Sequence, residues 1–185
     1  MSYAVKNEIV KDDERSWYFL ENGIGIISSG DKALDEKLVE MAKASGAFEA
    51  EDMQGKLEAF YRYFLKETQY VGVGTPEFKD GWEREFATLA FEMKGGNCFA
   101  YCAACGLFAK SLGYEVEINV GSAKWKDETL PEHSWLVIDK DLILDPLLDD
   151  RLTDGVGKLG FFMQKADLLE SGQECTYEVK ETYGI

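Results

Sequence analysis

One fifteen-residue run limits what this chain can fold into. From Cys98 to Leu112 it reads CFAYCAACGLFAKSL, in which only Lys110 and Ser111 are clearly polar. Asn97 stands where a side chain can cap the first turn of a helix, and Gly113 stands where a helix closes. The spacing therefore predicts a helix over 98–112. A helix that is apolar nearly all round has no face for water and must be buried among other elements. Cys98, Cys102, Cys105 and Ala109 fall within about 60° of one another around such a helix. That stripe of small side chains allows a close approach to a sheet.

The same cysteines spell C-x3-C-x2-C, the iron–sulfur spacing of the radical S-adenosylmethionine enzymes. A cluster needs its thiolates to converge. On a helix Cys98 and Cys105 are separated by about 10 Å of rise, which opposes that reading. Zinc fares no better, because a fourth ligand would have to come from Cys175 or His133. Cys102 and Cys105 are therefore expected to be small core residues, and no metal or organic cofactor is expected. Cysteines this crowded do not form a disulfide framework, so reduced thiols are expected.

The remaining chain supplies the elements that would bury the helix. Apolar positions at helical spacing predict helices over 31–45, from Met53 to about Gln69, and over 82–93. After Gly113 the period changes to two. Residues 114–121 (YEVEINVG), 133–138 (HSWLVI) and 142–146 (LILDP) read as strands, and 122–132 as a polar loop. Residues 16–20 followed by Asn22-Gly23 suggest a hairpin near the start, and a last strand is expected over 175–179. Helices first and strands later indicate an α+β fold in a single domain, 1–185, with a core over about 53–148 and residues 1–30 as an N-terminal strand or hairpin extension.

The 185-residue chain carries a net charge of -15, which excludes nucleic acid and anionic membrane surfaces as expected partners. It has no transmembrane run, and its beginning lacks the apolar stretch of a secretory signal. The expected location is cytoplasmic as the sequence stands, or extracellular or at the cell envelope if a signal has been trimmed.

Cys98 differs from the other cysteines. At a helix start, unpaired backbone N–H groups and the helix dipole favour a thiolate and could hold an oxyanion. A nucleophilic cysteine needs a base and a group that orients the base. The chain has one histidine, His133, and Asp145 follows twelve residues later. A three-residue turn at 139–141 would place both on one hairpin face as diagonal neighbours. That face would be His133, Trp135, Val137, Ile143 and Asp145, and the other Ser134, Leu136, Ile138, Leu142 and Leu144.

With these residues in view, KGGNCFAYCAACGLFAKSLGYEVEINVG followed by HSWLVIDKDLILDP resembles the transglutaminase-like superfamily of papain-related thiol enzymes, of bacterial type. The resemblance covers roughly residues 53–148. It implies a papain-like fold in which N-terminal helices accompany a catalytic helix packed on an antiparallel sheet. It implies Cys98 as nucleophile, His133 as base and Asp145 as orienter in a cysteine-protease-like hydrolase that cleaves an amide bond of a peptide or protein substrate. Beside the oxyanion or lining the cleft, Tyr70, Trp82, Asn97 and Trp135 are candidates. Transfer to an amine at a glutamine side chain, peptide deglycosylation, and a binding module without chemistry remain alternatives. The cleft is expected to be open to water, which would favour hydrolysis.

Overall fold

The computed structural model describes residues 8–11, 15–20, 24–125, 128–152, 161, 163–164 and 175–185. The chain opens with three short antiparallel strands, β1 (Glu8–Lys11), β2 (Ser16–Phe19) and β3 (Gly25–Ile27), in the order β1-β2-β3. The tip of the expected hairpin, Asn22-Gly23, lies outside the described residues. Helix α1 (Lys32–Ala44) starts at Asp31, whose carboxylate accepts from the N–H groups of Ala33 and Leu34. Gly46, with a φ of 73°, turns the chain beyond its end. Helix α2 (Met53–Glu67) is capped by Asp52 and buries the stripe Leu57, Phe60, Tyr61 and Phe64. A two-residue strand, β4 (Gln69–Tyr70), precedes α3 (Trp82–Met93) and pairs in parallel with β5 (Gly95–Gly96).

Helix α4 (Cys98–Leu112) lies at the centre, with thirteen of its fifteen residues buried. The Asn97 carbonyl oxygen of the side chain accepts from Ala100 N, and Gly113 closes the helix with a φ of 106°. Phe60 of α2 stacks on Phe108 at 3.9 Å between ring centroids, and Phe64 meets the edge of Tyr101 at 5.2 Å. On its other side α4 meets a five-stranded antiparallel sheet ordered β10-β6-β7-β8-β9. Its strands are β6 (Val116–Trp125), β7 (Glu128–Ile138), β8 (Leu142–Leu144), β9 (Met163–Gln164) and β10 (Cys175–Gly184), with α5 (Pro146–Leu152) following β8. The architecture is α+β, helices on an antiparallel sheet.

The β7–β8 hairpin has the anticipated register, Val137 opposite Ile143 and Ile138 opposite Leu142. The connection is 139–141, with Asp139 and Lys140 both at positive φ (48° and 72°) and Asp141 N donating to Ile138 O. Leu136, Ile138 and Leu144 join the main core with α4. Trp135, Val137 and Ile143 form a separate apolar cluster on the opposite face.

Three stretches differ from the sequence expectation. Residues 122–132 are not a polar loop: β6 runs on to Trp125 and β7 starts at Glu128, with Ala123 opposite Leu130 and Lys124 opposite Thr129. Backbone pairing there is completed by β10 on the far edge of β6, so polar side chains do not prevent strand formation. The last strand extends to Gly184, five residues past its expected end. Helix α5 was also not anticipated; it begins at the proline of the LILDP strand end.

Candidate active site

Cys98 is the first residue of α4, and a close backbone approach puts it there. Gly95 and Gly96 pair with Gln69 and Tyr70. A Cβ on Gly95 would lie 2.4 Å from the Gln69 carbonyl oxygen, and one on Gly96 would lie 2.4 Å from Ala100 Cβ. Only glycine fits at either position. The Asn97 side chain is held at both ends, its oxygen capping the helix and Nδ2 donating to Gly74 O at 2.7 Å. Residues 71–76 form a strap. Val71 N donates to Gly96 O, and Thr75 Oγ1 donates to Glu132 Oε1 at 3.1 Å. The strap is thus tied to the residues that immediately precede both Cys98 and His133.

His133 lies on β7 opposite Gly121. Its Nε2 is 2.8 Å from Asp145 Oδ2, and both residues are 1% exposed. Asp145 ends the β8 excursion and caps α5, its Oδ1 accepting from Leu148 N at 3.0 Å. His133 Nδ1 is buried and closes no hydrogen bond in this conformation, yet Cys98 is near enough to act on the ring. Burial is the largest single influence on the imidazole and favours its neutral form. The charge and hydrogen bond of Asp145, followed by Cys98, outweigh it and push the His133 pKa up to about 10. The ring is therefore poised as an imidazolium at neutral pH, with a carboxylate on one nitrogen and a cysteine close by.

The other cysteines of α4 are placed differently. The Cys102 thiol donates to Ser134 O at 3.3 Å, and burial holds its pKa well above the usual thiol range. Burial alone does the same for Cys105. Both are fully buried, and the three α4 cysteines are free thiols.

The structure brings Cys98, His133 and Asp145 together with Asn97 at the helix start, while Trp82 and Tyr70 make aromatic contacts of their own. Trp135 is adjacent, its ring stacked 6.0 Å from His133. Trp82 packs in an aromatic group with Phe78, Phe86 and Tyr183 and serves the core. Tyr70 is 37% exposed with its ring edge-on to Tyr101. Cys98 itself is only 4% exposed, so little of its own side chain meets solvent.

Two groups of partners were not visible in the sequence. Tyr177 of β10 donates from its hydroxyl to Asp145 Oδ2 at 2.8 Å. Below Asp145, Tyr61 OH donates to Asp149 Oδ2 and, at 3.3 Å, to the Asp145 carbonyl; Arg62 adds an ion pair to Asp149 at 3.0 Å. This network ties α2 to α5 and so to the turn that carries Asp145. The sequence marks Tyr177 only as part of the expected last strand, 175–179. Tyr61 read as one more core residue of the α2 stripe.

No protein-family model matches the chain, and no curated protein matches it. Among solved structures it is similar to a transglutaminase, with 16% identity and a TM-score of 0.45, covering 72% of this chain and 34% of that one. It is also similar to a candidate cysteine protease from Cytophaga hutchinsonii, with 14% identity and a TM-score of 0.45, covering 82% of this chain and 50% of that one. The chain thus spans a third to a half of the length of these two proteins. Likeness at that level assigns neither family nor activity. Among the described residues, no helix is long and apolar enough to cross a membrane.

Proposed function

We propose that the chain is a thiol enzyme of the transglutaminase-like kind that hydrolyses an amide bond of a peptide or protein through an acyl-enzyme on Cys98. The observation that carries this is the buried 2.8 Å contact between His133 Nε2 and Asp145 Oδ2, with Cys98 acting on the same ring. A charged pair is costly to bury, and here it sits at the start of a buried helix beside a cysteine.

In this mechanism the thiolate attacks the amide carbonyl. Backbone N–H groups of the first turn of α4 receive the developing oxyanion. His133 gives its Nδ1 proton to the leaving amine, and Asp145 holds the ring in orientation through Nε2. Water then attacks the thioester while the now neutral His133 takes its proton, and release of the acid restores thiolate and imidazolium.

One observation favours a second outcome for the same intermediate. Cys98 is 4% and His133 1% exposed, so the thioester would be sheltered, and an amine acceptor could compete with water. Peptides bearing glutamine and carboxamide groups, offered with and without excess lysine-like amine, test both. Released acid supports the hydrolase, and amine adduct supports transamidation. Turnover that persists in Cys98→Ala refutes the acyl-enzyme altogether.

A further inference from the structure

We propose that Tyr177 is a positioning residue for His133, acting through Asp145: its hydroxyl occupies the same carboxylate oxygen that holds the imidazole, and its ring lies against the aromatic wall of the site. This rests on the thiol-enzyme reading and deepens it from a three-residue to a four-residue arrangement.

Asp145 accepts at both oxygens. Leu148 N donates to Oδ1, while His133 Nε2 and Tyr177 OH share Oδ2, each at 2.8 Å. Three donors from three elements leave the carboxylate no freedom to rotate, so the plane of the imidazole is set as well. The Tyr177 ring is 4.6 Å from Trp135 and 6.5 Å from His133, inclined 19° to the latter. Loss of the hydroxyl alone should therefore leave the ring in place.

The backbone is shaped to deliver this tyrosine. On β6, Gly121 faces His133 on one side and Val179 of β10 on the other, next to an irregularity between Val179 and Glu181. A Cβ at Gly121 would lie 1.9 Å from Glu178 O. The edge strand approaches this closely only because residue 121 is glycine, and Tyr177 precedes the point of closest approach by one residue.

The hydroxyl has a second consequence. A donor at Oδ2 draws carboxylate charge away from Nε2, so it holds down the stabilisation of the imidazolium. Among the described residues, the other titratable groups around His133 and Asp145 include Cys98 and Cys102 of α4, Tyr61 of α2, Asp149 of α5 and the neighbouring Glu132. None of these donates to Oδ2.

Tyr177→Phe tests the inference without a substrate. The measurements are the pH profile of Cys98 alkylation by iodoacetamide and the carbon-13 titration of His133. Tyr183→Phe, which removes a hydroxyl from the same strand, is the control. Expected in Tyr177→Phe are an alkylation rate several-fold lower at its optimum and an alkaline limb moved to higher pH, with the His133 midpoint moving the same way. Both should be unchanged in Tyr183→Phe. If Tyr177→Phe matches the wild type in rate and in both midpoints, the inference is overturned and the thiol-enzyme reading stands. If wild-type alkylation shows no step that follows His133, both fall together. An independent reading in unaltered protein covers a variant that fails to fold. A slowly exchanging Tyr177 hydroxyl proton with a nuclear Overhauser contact to the His133 Nε2 proton supports the inference, and its absence at low temperature overturns it.

Discussion

Asp145→Asn separates charge from shape at the centre of the site. Asparagine can still accept from Leu148 N and so keeps the cap of α5, but it removes the anion 2.8 Å from His133 Nε2. In the folded protein the imidazole pKa rises from 6.5 to about 10. At about 1.4 kcal/mol per pH unit, that rise corresponds to roughly 5 kcal/mol in favour of the imidazolium. Without the carboxylate, burial prevails, so the midpoint should fall below 6.5 and the ring should be neutral at pH 7. The sign for stability follows from linkage. The folded state binds this proton more tightly than the unfolded chain, so the contribution is full below pH 6.5 and is lost as pH rises through about 10. The difference in unfolding free energy between wild type and Asp145→Asn should accordingly be several kcal/mol at pH 6.5 and shrink towards pH 10.5. With one histidine in the chain, a single carbon-13 signal reports the titration without assignment. Urea unfolding at the two pH values reports the energy. A wild-type midpoint near 6.5, or one unmoved by Asp145→Asn, would refute the reasoning.

Other outcomes follow from the same geometry. Brief iodoacetamide treatment followed by peptide mapping should modify Cys98 well before Cys102 and Cys105, since burial pushes both of those thiols up and leaves them no exposure; equal labelling would contradict the placement of Cys98. Gly121→Ala should cost about 3 kcal/mol in urea unfolding, because its Cβ would meet Glu178 O at 1.9 Å and β10 would have to withdraw; a change under about 1 kcal/mol would mean that β10 is not held where described. Tyr61→Phe should cost about 1–2 kcal/mol by removing a hydroxyl donor from buried Asp149, and equal thermal midpoints for the two proteins would remove Tyr61 from the support of α5.

Much of this was readable in the residues where local chemistry is strong. Asn97 and Gly113 bracket α4 because a cap and a left-handed closing residue have few substitutes. The alternation from His133 to Asp145 sorted the two faces of the β7–β8 hairpin correctly, since apolar groups on both sides leave one pairing that buries them all. What escaped depends on distant partners. Residues 122–132 are polar and look like a loop, and pairing on both edges of β6, with β7 and with β10 more than forty residues later, makes a strand there. Tyr177 lies 32 residues from Asp145, on an exposed edge strand whose sequence carries no mark of a buried contact. Trp82 illustrates the reverse case, since a large aromatic near a suspected site is as well suited to filling the core, and Phe78, Phe86 and Tyr183 supply that core.

The turn at 139–141 has a consequence for how such a chain can change over generations. His133 and Asp145 share a face because each lies an odd number of positions along its strand from the last pair of the hairpin, Ile138 and Leu142. Within either strand, gaining or losing one residue inverts everything beyond it, carrying Asp145 or His133 to the side occupied by Leu136 and Leu144. Within the turn, a change of length can be absorbed by the loop while the apolar faces keep the strands in register. Descendants that retain this pair should therefore vary in length at 139–141 and hold the strands at constant length. The distance along the chain between the two residues is free to drift, and the parity of each strand is not.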